Sequence, residues 1–90
     1  MKHFKTENFF FGYGNINCLS KESGILFYKS YPFAHAWQWN HNDFGTLGKW
    51  ALNPDKIAIE YNFPKNLGNF DSLESMMEFC ENWAKENKLP

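Results

Sequence analysis

The stretch Phe33–His41, F-A-H-A-W-Q-W-N-H, decides how the rest of the chain is read. In extended backbone, alternate side chains point to opposite faces. Phe33, His35, Trp37, Trp39 and His41 then share one face, and Ala34, Ala36, Gln38 and Asn40 the other. A strand of this kind suits the centre of a sheet, with its aromatic face toward the core. The chain has 90 residues, of which 20% are aromatic. So small a domain has little interior, and each buried ring removes about 150–250 Å² from water. The competing reading leaves the same face open as a binding surface. His35 separates the two, because imidazole buried between Phe33 and Trp37 needs a hydrogen-bond partner. On a binding surface it stands exposed beside the two Trp.

Upstream, residues 8–20 read as extended, with Phe9, Phe11 and Tyr13 on one face and Phe10 and Gly12 on the other. Lys21–Gly24 is a turn signal, because Gly tolerates positive φ. Residues 25–31 form the next strand, which makes 16–31 a hairpin. Pro32 cannot donate to a ladder and marks a bend before the strand over 33–40. Downstream, His41–Gly45 is a loop by composition and 46–52 a strand. Asn53-Pro54-Asp55-Lys56 has the residues of a type I turn. Residues 57–63 alternate, with Ile57, Ile59, Tyr61 and Phe63 facing inward, and close a second hairpin over 46–63.

Pro64–Phe70 leads to one helix over about 72–87. Asp71 is the expected N-cap, with Glu74 completing a capping-box pattern. Leu73, Met76, Met77, Cys80, Trp83 and Ala84 follow the i, i+3, i+4, i+7 rule and form an apolar stripe. Asp71, Glu74, Glu78 and Glu81 are expected on the opposite, solvated side. The fold class is therefore α+β. An antiparallel sheet of four to six strands, joined as hairpins or a meander, carries one C-terminal amphipathic helix on one face. Residues 1–90 form a single domain.

The formal net charge is −1, so no global field recruits nucleic acid or membrane. All nine basic residues are Lys. Without Arg, sequence-specific nucleic-acid binding is not expected, since Arg is the preferred bidentate reader of phosphate and guanine. Residues 71–90 hold five acids and two Lys, which makes the C-terminal segment the acidic end. Asn, Lys and Phe are abundant and Val is missing, a bias of AT-rich codons that suggests a bacterial, phage or plasmid source. Cys18 and Cys80 have neither the number nor the spacing of a disulfide framework. The N-terminal apolar run is too short for a signal peptide, and no stretch has the length of a membrane span. A cytoplasmic protein with reduced thiols is expected.

Motifs for chemistry are sparse. On one strand His35 and His41 lie six residues apart, roughly 20 Å at about 3.3 Å per residue, too far to share a metal. No C-x-x-C, H-E-x-x-H or G-x-S-x-G occurs. A Cys nucleophile needs a lowered pKa and a base, and Cys80 lies on the apolar stripe of the helix. No cofactor and no metal site are expected, and no catalytic residue is assigned.

The expected function is that of a small non-enzymatic binding protein which occludes a surface of a partner protein. A phage- or plasmid-type inhibitor or an immunity-like protein is the expected class, as a monomer or homodimer. Its partner would be a protein, with nucleic-acid-handling machines a suitable kind because helix acids can imitate phosphates. The candidate contacts are Trp37, Trp39, His35 and His41 on the strand and Glu74, Glu78 and Glu81 on the helix. One alternative is a carbohydrate- or nucleotide-binding module that stacks its ligand on the aromatic face. The other is a small enzyme built on Cys18 or His35.

Overall fold

The computed structural model describes residues 4–14, 20–39, 45–64 and 69–90. The architecture is α+β: an antiparallel sheet with a C-terminal helix packed on one face. The strands are β1 (Phe4–Lys5), β2 (Phe9–Tyr13), β3 (Ser20–Tyr28), β4 (Tyr31–Trp39) and β5 (Trp50–Pro54). They lie side by side in chain order, a simple meander. Two helices follow, α1 (Lys56–Glu60) and α2 (Leu73–Glu86). Beyond β5, Phe70 forms an antiparallel bridge to Trp50, which covers that part of the sheet edge.

Alternation holds in β2 as the sequence implies. Phe9 and Phe11 are buried toward α2, while Phe10 points away and pairs with Phe27 of β3. The hairpin boundaries differ. Lys21–Gly24 is not a turn but lies within β3. Gly24 is there because the β2 backbone approaches closely: a Cβ at this position would run into the Gly12 carbonyl oxygen and meet the tip of the Phe11 ring at 2.8 Å. Ser23 satisfies its hydroxyl on the Gly14 carbonyl at 2.6 Å. The chain reverses instead at Lys29–Ser30, both with positive φ (45° and 74°). Two such residues are the requirement of a type I′ turn, whose twist matches the flanking strands. Here neither is Gly or Asn, so the usual turn signature is missing. The expected bend at Pro32 is absent, and Pro32 sits inside β4 opposite Phe27.

The main departure within the central strand lies beside that proline. Leu26 pairs with Ala34 but the next residue, Phe27, pairs with Pro32. Phe33 is the extra residue of a β-bulge, which shifts the alternation of everything after it. Phe33, Ala34 and Ala36 are all fully buried on the helix side. His35, Trp37 and Trp39 lie on the opposite face and are half-buried. The expected single aromatic face is thus split, with Phe33 in the core and the Trp residues outside it.

Residues 57–63 are not a strand. Pro54 ends the β5 ladder, Asp55 takes the extended N-cap conformation, and Lys56–Glu60 form one helical turn. Asn62 at φ 62° ends it in the left-handed region, as Asn does at helix C-termini. The alternating Ile and Tyr misled the strand reading: Ala58 and Phe63 are buried, whereas Ile59 and Tyr61 are exposed. The expected hairpin over 46–63 therefore does not exist, and Asn53–Lys56 is a strand-to-helix junction.

The apolar stripe of α2 is buried throughout: Leu73, Met76, Met77, Cys80, Trp83 and Ala84. Its N-cap is Ser72, not Asp71. The Ser72 hydroxyl accepts from the Ser75 backbone N–H, and the Ser75 hydroxyl accepts from that of Ser72. A reciprocal Ser–Ser pair replaces the expected Asp–Glu pair, and the Asp71 carboxylate accepts instead from Lys49 at 2.9 Å. The core between sheet and helices is aromatic. Phe33 meets Phe9, Phe63 and Trp83 with ring centroids 5.0, 5.1 and 5.9 Å away. Edge-to-face geometry in the first two brings positive ring edges to negative faces.

Candidate functional site

The sheet has two unlike sides. One is sealed by α2 and α1; the other turns away from both. On this outer side, Phe10 and Phe27 flank Gly12, whose missing side chain leaves room for their rings. Ile25 of β3 stands opposite His35 of β4, and Ser23 opposite Trp37. Ala51 and Asn53 of β5 complete the row beyond them. Among the described outward positions of β2 to β5 there is no Lys, Asp or Glu. Charge stands at the margins: Lys5 of β1 is the register partner of Phe10, Asp55 follows the end of β5, and Lys49, whose carbonyl accepts from the Trp39 backbone N–H, precedes β5 and pairs with Asp71.

Trp37 and Trp39 are the largest members of this face. Their rings are 5.5 Å apart and perpendicular. Trp39 is fixed by its indole N–H, which donates to Asn69 Oδ1 at 2.9 Å. The Trp37 indole N–H is buried and has no acceptor among the described residues. Edge-to-face rings form a compact ridge and not a flat platform, because the edge of one occupies the face of the other.

His35 lies at the end of the ridge. Its Nδ1 is 3.4 Å from Asp55 Oδ2, and both side chains remain about two-fifths exposed (41% and 37%). The imidazole therefore stands open beside the two Trp, on the surface alternative and not the buried one. Asp55 also lines an open cleft of about 490 Å³ with Tyr31, Pro32, Lys56, Ile57 and Glu60. Its lining carries the carboxylates of Asp55 and Glu60, the amine of Lys56 and the phenol of Tyr31. Among the described residues no three His, Cys, Asp or Glu side chains come together as a metal-binding group.

The helix acids do not join this face. Glu74 and Glu78 are exposed on α2, on the far side of the sheet from Trp37 and Trp39. Glu81, expected on the same solvated side, is instead buried at 7% exposure. Its two carboxylate oxygens accept from the Asn8 backbone N–H and the Asn8 side-chain amide, both at 2.7 Å. Burial pushes the Glu81 carboxyl up, but these bonds, one from the Thr6 hydroxyl and the charge of Lys85 outweigh it. The net effect holds the group below its usual value. Glu81 is thus a clasp between α2 and the β1–β2 loop. Sequence periodicity could not show this, because Asn8 lies 73 residues away. Burial, with the Glu81 carboxylate adding to it, pushes the Cys80 thiol up to about 12, which makes it an inert core group. His41 and Cys18 lie outside the described residues.

Sequence reasoning missed Phe10, Ile25 and Phe27 as members of the outer face. Their strand parity was legible, but the bulge that brings His35, Trp37 and Trp39 onto the same side was not. No helix among the described residues is long and apolar enough to cross a membrane. No protein-family model, no curated protein and no solved structure matches this chain.

Proposed function

We propose that this is a non-enzymatic binding protein that covers a surface of a partner protein, with the outer sheet face as its docking surface. The observation that carries the reading is the chemistry of that face: aromatic and uncharged at its centre, turned away from the helices, and bounded by polar groups at its flanks. Interfaces have this anatomy, with Trp and Tyr anchors at the centre and a polar rim. The perpendicular Trp37 and Trp39 rings favour a protein surface over a sugar or base, which needs an open ring face to stack on.

The acids carry less of the reading than the sequence implied. Glu81 is engaged by Asn8 and Asp71 by Lys49. Glu74 and Glu78 remain exposed, and their distance from the ridge limits them to screened, long-range steering. A phosphate-imitating inhibitor fits this distribution poorly. An immunity-like or inhibitory protein that seats an apolar patch of its partner fits it better.

The test is affinity capture from the lysate of a low-GC bacterium with three baits: wild type, Phe10→Glu, and Glu74→Lys/Glu78→Lys. A stoichiometric protein retained by the first and third baits and lost from the second is the expected outcome. Loss from the third bait alone would move the interface to the helix, and retention by all three would remove both surfaces from it.

A further inference from the structure

We infer that in the free protein a second copy of the chain covers the outer sheet face, sheet against sheet, and that partner capture competes with this self-association. The inference rests on the docking-face reading for its second half only. Its first half stands on the charge layout and dimensions of the face.

The charge layout is self-complementary. Lys5, Phe10, Phe27 and the bulge at Pro32–Phe33 lie in one row across the sheet, by register. Asp55 ends the same row, since its backbone N–H donates to the Phe33 carbonyl at 2.8 Å. A cationic residue therefore stands at one end of an apolar row and an anionic residue at the other. Stack a second copy on this face by a two-fold axis running along the strands. Its β1 then lies over the first copy's β5 end, and each Lys5 faces the other copy's Asp55. The contact occurs twice, as an isologous interface requires. Between the two pairs, the outward positions whose side chains are described hold no Lys, Asp or Glu to meet their own image.

The dimensions fit a reversible dimer. Five strands at about 4.8 Å spacing, from about 7 Å long at β1 to about 30 Å at β3 and β4, give a face of roughly 500 Å². Two such faces bury roughly 1,000 Å², at the lower edge of specific interfaces and well below obligate ones. Edge-to-edge growth is a poorer route. Among the described residues β1 has two, and the β5 edge is bridged by Phe70 at Trp50. Stacked sheets about 10 Å apart would give a four-layer helix–sheet–sheet–helix sandwich in which the Trp37–Trp39 ridge is covered.

The test is sedimentation velocity across low-micromolar to millimolar protein, on wild type and four variants: Phe10→Glu, Lys5→Glu, Asp55→Lys, and the double reversal Lys5→Glu/Asp55→Lys. The wild type should dimerise. Each single reversal should weaken the dimer about five- to tenfold, and the double reversal should restore it to within about twofold. Phe10→Glu, at the most exposed ring of the face, should abolish it. Wild type that stays monomeric at every concentration overturns the inference, as does a dimer indifferent to Phe10→Glu. A double reversal weaker than both single ones overturns the stacking register. Should Phe10→Glu misfold by circular dichroism, the charge series decides alone, because Lys5 and Asp55 lie at the flanks and Asp55 makes no side-chain cap bond to α1. The two readings fail separately. A monomeric wild type that still captures its partner overturns the second copy alone, and a dimer that captures nothing overturns the partner reading alone.

Discussion

Phe33 and Trp39 are six residues apart on one strand and lie on opposite faces of the sheet. Phe33 is fully buried and its ring touches those of Phe9, Tyr28, Phe63 and Trp83. It joins strands β2 and β3 to the α1–α2 layer. Replacing it with Ala removes the hub and leaves a cavity that the surrounding rings cannot close. The expected cost is about 3–5 kcal/mol, read as a lowered midpoint in urea unfolding with an unchanged slope. His35 is the other informative residue. Its half-open position beside Trp37 and its approach to Asp55 set a polar end to the Trp ridge. Sequence alternation placed both residues on one side because it had no means to see a bulge. The extra residue is set by how Leu26 and Phe27 pair across the hairpin, a relation between two strands and not a property of either.

At the scale of elements, α2 was legible because its apolar stripe has the helical period over four turns, and burial follows that stripe. The segment 57–63 was not, because seven residues of alternating Ile, Tyr and Phe satisfy a period of two whether or not they are extended. The outcome was settled by Pro54, which closes the ladder, and by Asp55 and Asn62, which bracket a single turn. A pair of substitutions checks this. Ile59→Lys should change stability by less than about 0.5 kcal/mol, since the side chain already faces solvent. Ala58→Lys should unfold the domain, because it drives a charge into the core beneath β4. Comparable tolerance at both positions, measured by thermal unfolding, would contradict the helical turn. The Glu81 clasp makes a separate prediction. The carboxyl sits below its usual value near 4.5 in the folded state. Its contribution to stability is therefore complete above the unfolded value and is lost as pH falls through the folded one. Wild type should lose more stability between about pH 7 and about pH 3 than Glu81→Gln does, measured by urea unfolding at each pH. Equal losses would mean that Asn8 does not hold the charged form.

Over the whole molecule, the sheet separates two surfaces that sequence had combined into one site. Trp37, Trp39 and His35 occupy the side away from the helices, while Glu74 and Glu78 belong to the helix layer. The fold class followed from composition, one strong helical stripe and several alternating runs. The site did not, because which strand face is left open depends on bulges and on where each helix lands. The central claim is that the ridge on β4 serves contact and not core. Trp39→Ala tests it most directly, with urea unfolding and partner capture measured on the same preparation. The expected variant is folded and less stable by about 1–2 kcal/mol, well short of Phe33→Ala, and it has lost capture. A variant that unfolds as readily as Phe33→Ala, or one that is folded and captures its partner as wild type does, would contradict the account.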